Sequence, residues 1–397
     1  MASCDSKGKK RAHVILTAHW DWVLYHYRLS FARALRENGY KVTFVCPTGN
    51  YLPKLEADGF PCVRWQISRK SLNPLREIIS IVQLVGIYRR LKPDVVHHFT
   101  VKPNLYGTLA AYFAKVPAMI NTFTGLGYLF SDDSRAGALR FFLYPFLRWA
   151  VNRPNAAVIF QTDSDRETLI KRKILNSDKR SVMIRGSGVD TSLFKRNGAR
   201  PFNLPLSKKP VVLMASRLLW DKGIKEFIEM ARTLKGQGVK ADFWIVGAPD
   251  DGNPACISDR DIRKWLSEGH VEFLGHREDI LEILRQADIA VLPSYYEGVS
   301  RFLLEAAAVG LPLVATDIDG CKSVVRSNIN GFLIPPRDSG ALAFTVSKLV
   351  HDPELRGQMG RASREIATRE FDERLIHQQF LKIYEELRAV YAKSSND

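Results

Sequence analysis

The sequence predicts two α/β domains, each built on a doubly wound parallel sheet. Short apolar runs alternate with helical patterns, an order typical of parallel sheets that are covered by helices on both faces. The alternation stops and restarts once, around residues 196–209, a polar and basic stretch with Gly and Pro that has a linker composition. The 397 residues are enough for two domains with a core each.

The first domain, expected at residues 1–195, shows six strand-like runs with helical patterns between them. These runs are residues 14–16, 42–45, 63–67, 95–96, 119–120 and 158–160. The second domain, expected at residues 210–370, repeats the pattern from residue 211, and the chain after residue 352 reads as helix to its end. Because ligands of such sheets lie at the carboxyl ends of the strands, we expect the site on the loops there.

Charge and cysteine content bound the function. The chain has 58 Lys and Arg against 42 Asp and Glu, a net charge of +16, which predicts an anionic partner such as phosphate, nucleic acid or acidic lipid. The five cysteines are scattered, which favours a reducing cytosol, and neither they nor the pair His97–His98 show the spacing of a metal site. The apolar run 14–17 is too short for a signal-peptide core, and no run approaches the ~20 residues of a membrane span.

Two loops of the first domain carry candidate contacts to a sugar, either the donor's or the acceptor's. His19, His26 and Arg28 follow the first run, and Thr124 and Gly125 follow the fifth. Loops carry function more often than strand interiors do, but a packed or surface histidine is an equal alternative for His19 and His26.

Two helical segments mix apolar and basic residues. For residues 69–93 the pattern favours a core helix, and for residues 137–154 the combination of aromatic residues and arginine favours contact with a membrane surface. Pro145 interrupts the second segment, which predicts two short helices there.

The second domain opens with a candidate diphosphate clamp. Arg217 and Lys222 lie five residues apart on a loop between a strand and a helix. A guanidinium fork, a mobile ammonium and a helix N-terminus behind them together suit a diphosphate, although either cation alone reads as a solvated loop residue.

Two glutamates flank a helix start further along. A strand at residues 289–292 ends at a Pro-Ser pair, and a helix at 301–309 follows, with Ser300 as its cap and Gly310 as its end. Glu297 precedes this helix and Glu305 lies in its second turn. Carboxylates beside a helix N-terminus are not phosphate ligands and match sugar hydroxyls, whereas solvated helix-end charges are the ordinary alternative.

These stretches together resemble the family-4 glycosyltransferases. Residues 297–305 match the E-x7-E signature of that family, and residues 184–194 match the segment that closes its first half. Residues 216–223 match its diphosphate site, with Ser216 in place of the usual Gly. The resemblance implies the GT-B fold, in which two Rossmann-like domains face each other across a cleft and a final helix, here 371–397, packs back on the first domain.

The resemblance also implies roles for the site. Glu297 would face the donor sugar and Glu305 would hold the ribose, while Arg217 and Lys222 would stabilise the leaving diphosphate. The other expected donor contacts are Gly298, Val299 and Ser300, and the base would meet Gly275, His276 and Arg277. Thr124 stands where the family usually has a His. The reaction would retain the anomeric configuration with neither metal nor cofactor.

Three stretches narrow the resemblance to a group of bacterial enzymes. Residues 68–74, 219–227 and 317–325 resemble transferases that add N-acetylgalactosamine, or a related sugar, to polyprenyl-diphosphate-linked saccharides. We therefore expect an N-acetylhexosaminyltransferase of surface-polysaccharide assembly with a UDP-sugar donor. It would be peripheral on the anionic inner face of the cell membrane and would not bind nucleic acid. The alternatives are a soluble acceptor, a GT-B nucleotide-sugar epimerase and a non-enzymatic basic protein.

Overall fold

A computed structural model describes residues 11–68, 73–126, 136–196, 209–250, 253 and 255–394. The chain divides into two compact units, unit 1 with positions 1–187 and 376–397 and unit 2 with positions 188–375. The predicted domain limits stay a prediction, and residues 197–208 of the predicted linker lie outside the described residues.

Unit 1 contains a parallel sheet of seven strands in the order β3-β2-β1-β4-β5-β6-β7. Six of the strands are the predicted runs. The strand bounds are β1 His13–Thr17, β2 Lys41–Cys46, β3 Cys62–Arg64, β4 Val95–Phe99, β5 Ala118–Phe123, β6 Ala156–Phe160 and β7 Ser181–Met183. The strand order reverses between β1 and β4, so the loops after these two strands meet at the carboxyl edge of the sheet.

Helices cover both faces of this sheet. They are α1 Asp21–Glu37, α2 Leu52–Ala57, α3 Pro74–Leu91, α4 Val101–Phe113, α5 Ala136–Val151 and α6 Asp163–Lys171. The prediction of two short helices around Pro145 was wrong, because α5 runs through this proline as one helix. A proline removes one backbone donor, and the buried side chains of Leu147, Ala150 and Val151 anchor the turn after it.

Helix α3 has one apolar face that is buried in the core and a second apolar face that is exposed. Asn73 caps it, and its buried face, with Leu84, Ile87 and Tyr88, packs into the core as predicted. Its other face is also apolar and is exposed.

Unit 2 contains a parallel sheet of six strands in the order β10-β9-β8-β11-β12-β13. The strands are β8 Val211–Ala215, β9 Asp242–Val246, β10 Glu272–Gly275, β11 Ile289–Leu292, β12 Leu313–Thr316 and β13 Gly331–Ile334. Its helices are α7 Ile224–Gly236, α8 Asp259–Glu268, α9 Ile280–Gln286, α10 Arg301–Val309, α11 Asp319–Lys322, α12 Ser339–His351 and α13 Pro353–Glu370. Alternate residues of β11 enter two separate cores, one on each face of the sheet. The order reverses between β8 and β11, which places the loops after these strands side by side.

The last helix, α14 Glu373–Ser394, belongs to unit 1 from residue 376 onward. Ile376, Phe380, Ile383 and Tyr384 are buried in the core of that unit, where the ring of Phe380 lies 5.0 Å from the ring of Phe31. The final helix therefore completes the core of unit 1. Among the described residues, no helix combines the length and the apolar character needed to cross a bilayer.

Candidate active site

An ion pair between Lys222 and Glu297 joins the two loops at the switch point of unit 2. Lys222 ends a 3-10 turn, Trp220–Lys222, in the loop that follows β8. Its Nζ donates to Glu297 Oε1 at 2.8 Å and to the carbonyl oxygen of Tyr296 at 3.2 Å. Only 8% of Lys222 is exposed. The structure thus brings together two of the three predicted catalytic residues.

Backbone contacts hold these two loops against each other. The backbone N–H of Tyr295 donates to the carbonyl oxygen of Asp221 at 2.8 Å. The hydroxyl of Ser294 is buried 3.0 Å from the carbonyl oxygens of Asp221 and Tyr296, and Thr316 donates to the carbonyl oxygen of Ser294. Ser294 and Thr316 were not predicted, because short hydroxyl side chains carry no signal without the neighbouring loop.

Two glycines permit this close approach. Gly223 has a φ of +74°, and a Cβ there would collide with the carbonyl oxygen of Pro293. A Cβ at Gly320 would collide with the carbonyl oxygens of Glu297 and Gly298. A larger residue at either position would push apart the loops that carry the ion pair.

Helix α10 presents the second glutamate. The side chain of Ser300 caps the helix by accepting from the N–H of Leu303 at 3.4 Å, as predicted. Glu305 is 6% exposed, and its Oε1 accepts from Nε of Arg301 at 2.6 Å. This i, i+4 pairing is readable from the sequence, although Arg301 was not predicted. Gly298 and Val299 lie in the loop between Glu297 and the capped helix start.

Arg217 does not share a partner with Lys222 among the described residues. Its Nη1 pairs with Asp250 Oδ2 at 2.7 Å, and 46% of its side chain is exposed. Because an exposed ion pair stabilises a protein by only ~0–1 kcal/mol, an incoming diphosphate can compete for this guanidinium.

The predicted base-binding residues lie at the end of β10 and directly after it, on the same edge of the sheet. The carbonyl oxygen of Gly275 accepts from the N–H of Gly247, 2.9 Å away. His276 is exposed, and Arg277 donates two hydrogen bonds to Asp279, at 2.8 and 2.6 Å. These bonds raise the pKa of Arg277 and lower that of Asp279, so both groups stay charged.

A buried thiol lies behind the ion pair. Burial, and then the nearby charge of Glu297, raises the pKa of Cys321 to about 12. This cysteine therefore stays protonated near neutral pH and packs as an apolar residue.

At the switch point of unit 1, His19 faces Thr100. His19 Nδ1 and Thr100 Oγ1 lie 2.7 Å apart, which joins the loops after β1 and β4. Thr100 has a φ of +75°, a strained conformation for a β-branched residue and one that marks functional loops. No sequence pattern signalled this strain.

The other candidates of unit 1 have different surroundings. His26 packs among the rings of Trp22, Tyr25 and Tyr51. Arg28 is buried in the core with its guanidinium 4.3 Å from the centre of the Phe99 ring, which is an arrangement of cation and π system. Thr124 and Gly125 are half-buried directly after β5.

The histidine pair of β4 has structural partners. His97 hydrogen-bonds with Thr122 and Tyr384, and His98 hydrogen-bonds with Asn121 and Tyr88. Burial lowers the pKa of both rings, that of His98 to about 4, so both are neutral at physiological pH. Within the described part of the chain, no cluster of His, Cys, Asp and Glu is suited to a metal ion.

A buried carboxylate, Asp21, orders the same edge of unit 1 and was not predicted. Its Oδ2 accepts from the backbone N–H groups of Tyr51 and Leu52 at 2.8 and 3.1 Å, and its Oδ1 accepts from that of Trp22 at 2.9 Å. In the sequence, only its position at the start of a helix could have indicated this role.

Comparison with known proteins supports this description. Among solved structures, HepE from Anabaena in complex with UDP and glucose covers 94% of this chain and 99% of its own, with a TM-score of 0.76 and 21% identity. Two doubly wound parallel sheets of this arrangement define the GT-B fold of glycosyltransferases.

The sequence relationship is closer. A model described as "Glycosyl transferase 4-like" matches residues 13–162, and one described as "Glycosyl transferases group 1" matches residues 196–366. The chain is 32% identical over 370 residues to the N,N'-diacetylbacillosaminyl-diphospho-undecaprenol alpha-1,3-N-acetylgalactosaminyltransferase of Campylobacter jejuni, covering 91% of this chain and 95% of the relative. It is 26% identical to the UDP-Gal:alpha-D-GlcNAc-diphosphoundecaprenol alpha-1,3-galactosyltransferase of Escherichia coli, over 72% of this chain and 74% of that one.

The chain belongs to the family-4 glycosyltransferases of GT-B fold. The fold class and the enzyme class predicted from the sequence are confirmed. These similarities do not favour the alternatives of an epimerase or of a soluble acceptor.

Proposed function

We propose that this enzyme moves an N-acetylhexosamine, with N-acetylgalactosamine as the first choice, from a UDP-sugar to a polyprenyl-diphosphate-linked saccharide. In this proposal unit 2 binds the nucleotide sugar and unit 1 binds the acceptor, with retention of the anomeric configuration and without a metal. The observation that carries the proposal is the largely buried pair Lys222–Glu297 at the switch point of unit 2.

The pair divides the work of a transfer between its two charges. Lys222 has three N–H donors, of which two are given to Glu297 and Tyr296, so the third is left for a diphosphate oxygen. As the bond between the sugar and the diphosphate breaks, negative charge grows on the leaving oxygen. A fixed ammonium and the N-terminus of α10 stabilise this charge more than they stabilise the intact donor.

Glu297 supplies the position of the sugar. Its Oε1 is held by Lys222, so its second oxygen is oriented to accept from a donor hydroxyl. Glu305, fixed by Arg301, offers a carboxylate oxygen to the ribose in the same way. Positioning of this kind lowers the barrier because the reacting groups lose less freedom in the transition state.

The choice of sugar and acceptor rests on the relatives. The relative at 32% identity is named for N-acetylgalactosamine transfer to a diphospho-undecaprenol-linked sugar, and the Escherichia coli relative is named for a UDP-linked donor and a diphosphoundecaprenol acceptor.

We also propose that unit 1 lies on an anionic membrane. Leu75, Ile78, Ile79 and Val82 of α3 form one face of the helix and are each 57–72% exposed. Neighbouring α4 and α5 expose Tyr112, Phe113 and Phe146. Basic residues border these surfaces, namely Arg76, Arg89, Arg90 and Arg148. Apolar residues bordered by cations fit the interface of a membrane with acidic lipids.

The test is a donor and acceptor screen with purified protein. UDP-GalNAc, UDP-GlcNAc, UDP-Gal, UDP-Glc, GDP-mannose and dTDP-sugars are each incubated with and without a polyprenyl-diphospho-saccharide in detergent. Release of UDP and the mass of the lipid product are followed. We expect release from one UDP-N-acetylhexosamine only when the lipid is present.

Two variants assign that activity to the site. Glu297→Ala is expected to lower transfer by about 10²–10³-fold. Glu229→Ala, which removes a glutamate of α7 whose side chain is 36% exposed, should leave transfer unchanged. Transfer to a soluble acceptor but never to the lipid would refute the acceptor assignment. Full activity of Glu297→Ala would refute the assignment of the site.

A further inference from the structure

A pocket lined by arginines lies in unit 2, apart from the donor loops. Its volume is about 520 Å³. Arg196, Arg356, Arg361 and Arg364 line it, with Asp288 as the one carboxylate of its described lining.

The pocket opens at the opposite edge of the sheet from the donor site. Asp288 directly precedes β11 and Pro312 directly precedes β12, so both lie at the amino ends of the strands. Gly310, which also lines the pocket, ends α10, whose first turn carries the donor-site cap. Nine helical residues separate the two ends by about 13 Å.

Three of the arginines have a structural task. Arg364 donates to the carbonyl oxygen of Ala308 in α10 at 2.6 Å, and also to those of Phe194 and Thr191, both at 2.7 Å. Arg356 donates to the carbonyl oxygens of Leu349 and Val350 in α12 at 2.6 and 2.8 Å. Arg196 donates to the carbonyl oxygen of Ala287 after α9, at 3.2 Å. Cations at helix C-termini stabilise the free carbonyl groups there, which accounts for these three residues.

This task uses only part of their hydrogen-bonding capacity. A guanidinium has five N–H donors, and Arg356 gives only Nη1 to the two carbonyl oxygens. Arg361 is exposed and donates to no group within the described part of the chain. The helix-capping role therefore explains neither Arg361 nor the unused donors of Arg356.

The charge of the pocket is also not balanced. Four guanidinium groups face one carboxylate, Asp288, which lies 3.5 Å from Arg196 and also accepts from the N–H of Val211. The first turn of α13 forms part of the same wall through Pro353 and Arg356, and the side chain of Asp352 caps this turn by accepting from the N–H of Leu355 at 2.9 Å.

We propose that this pocket binds a phosphate-bearing ligand, either a free phosphorylated molecule or the phosphate of a lipid headgroup. A planar guanidinium matches two phosphate oxygens at once, and several of them around one cavity give the arrangement that phosphate groups prefer. A volume of 520 Å³ holds more than an inorganic phosphate and falls in the range of small-molecule sites. The assignment is independent of the sugar and acceptor proposed above.

Calorimetric titration of the full chain with inorganic pyrophosphate tests the proposal. The titration is repeated in Lys222→Ala, which weakens binding of pyrophosphate to the donor loops but leaves the pocket intact, so that the two sites are distinguished. A parallel titration uses a short-chain phosphatidylglycerol below its micelle concentration. Arg361→Ala is the test variant, since it removes an exposed side chain without a described partner, and Arg263→Ala of α8 is the matched exposed control.

We expect one binding event that persists in Lys222→Ala and that Arg361→Ala weakens about ten-fold or more, as the loss of a charged hydrogen bond requires. Arg361→Glu should weaken binding further, and Arg263→Ala should not change it. Binding of pyrophosphate identifies a free phosphate ligand, and binding of the lipid alone with the same dependence on Arg361 identifies a headgroup. If neither probe binds, or if Arg361→Ala binds as the wild type does, the proposal is wrong.

Discussion

Replacement of Lys222 by alanine tests the site most directly. The change removes the ammonium that pairs with Glu297 at 2.8 Å and lies 3.9 Å from Asp221. Loss of one preorganised charge contact to a developing anion lowers kcat by about 10²–10³-fold in comparable sites. We expect a loss of this size in Lys222→Ala, and a similar one in Glu297→Ala.

The two variants should not be additive. Because Lys222 holds Glu297 in position, removal of either disables the pair, and the double variant should be about as slow as the slower single one. The assay is steady-state release of UDP with the lipid acceptor, from which kcat and KM are obtained for the four proteins of the cycle. Additive losses would mean that the two side chains act independently, which contradicts the geometry.

Stability must be measured in the same proteins. The side chains of Lys222 and Glu297 are 9% and 18% exposed, between the surface and the interior. Surface pairs are worth ~0–1 kcal/mol and breaking a buried pair costs ~3–5 kcal/mol, so we expect a loss of about 1–3 kcal/mol in urea unfolding. Lys225→Ala removes a lysine whose side chain is 57% exposed and pairs with Glu229. This control variant should change neither kcat nor the free energy of unfolding. A folded Lys222→Ala protein with a kcat within about three-fold of the wild type would refute the reasoning.

Three further predictions concern the membrane, the loops and pH. Ile78→Asp should weaken sedimentation with phosphatidylglycerol vesicles, whereas Phe344→Asp, at a position 77% exposed on unit 2, should not. Gly320→Ala should reduce both unfolding free energy and kcat, since its Cβ would meet the carbonyl oxygen of Gly298; unchanged values would show that the loop gives way. The buried ring of His98 has its pKa lowered from 6.5 to about 4, so the folded state binds fewer protons than the unfolded state. The free energy of unfolding that the neutral ring contributes is therefore complete above pH 6.5 and is lost toward pH 4, by up to about 3 kcal/mol. His98→Gln should make the free energy of unfolding, measured in urea, depend less steeply on pH in this range.

The strands and the candidate catalytic residues of unit 2 were predictable because each leaves a local pattern in the sequence. Apolar runs ended by turn residues located β8 and β11, and the spacing of Ser300 from the apolar residues after it located the start of α10. Lys222 and Glu297 were predicted separately, one from a basic loop and one from a signature. Their hydrogen bond spans 75 residues and was not stated by either pattern.

The residues that support the site were not predictable, because they leave no local pattern in the sequence. Ser294, Thr316 and Gly320 act through carbonyl oxygens of other loops, and their residue types are common in any turn. The strained backbone of Thr100 is likewise set by the loops around it. Pro145 shows the reverse case, since a strong local signal for a break is overridden by the packing of the residues that follow it.

The net charge of +16 can be interpreted only once the structure shows where the basic residues lie. Lys222 is buried beside a carboxylate, so water screens its charge little. The ion pair also fixes the position of its ammonium group, as stabilisation of a developing charge requires. The basic residues of α3 border an exposed apolar face, where each contributes weakly and salt screens it. Arg361 and its neighbours lie between these cases, in a concave pocket with one carboxylate. The anionic partners proposed for these three groups of cations therefore differ, because burial and geometry decide how strongly each cation interacts.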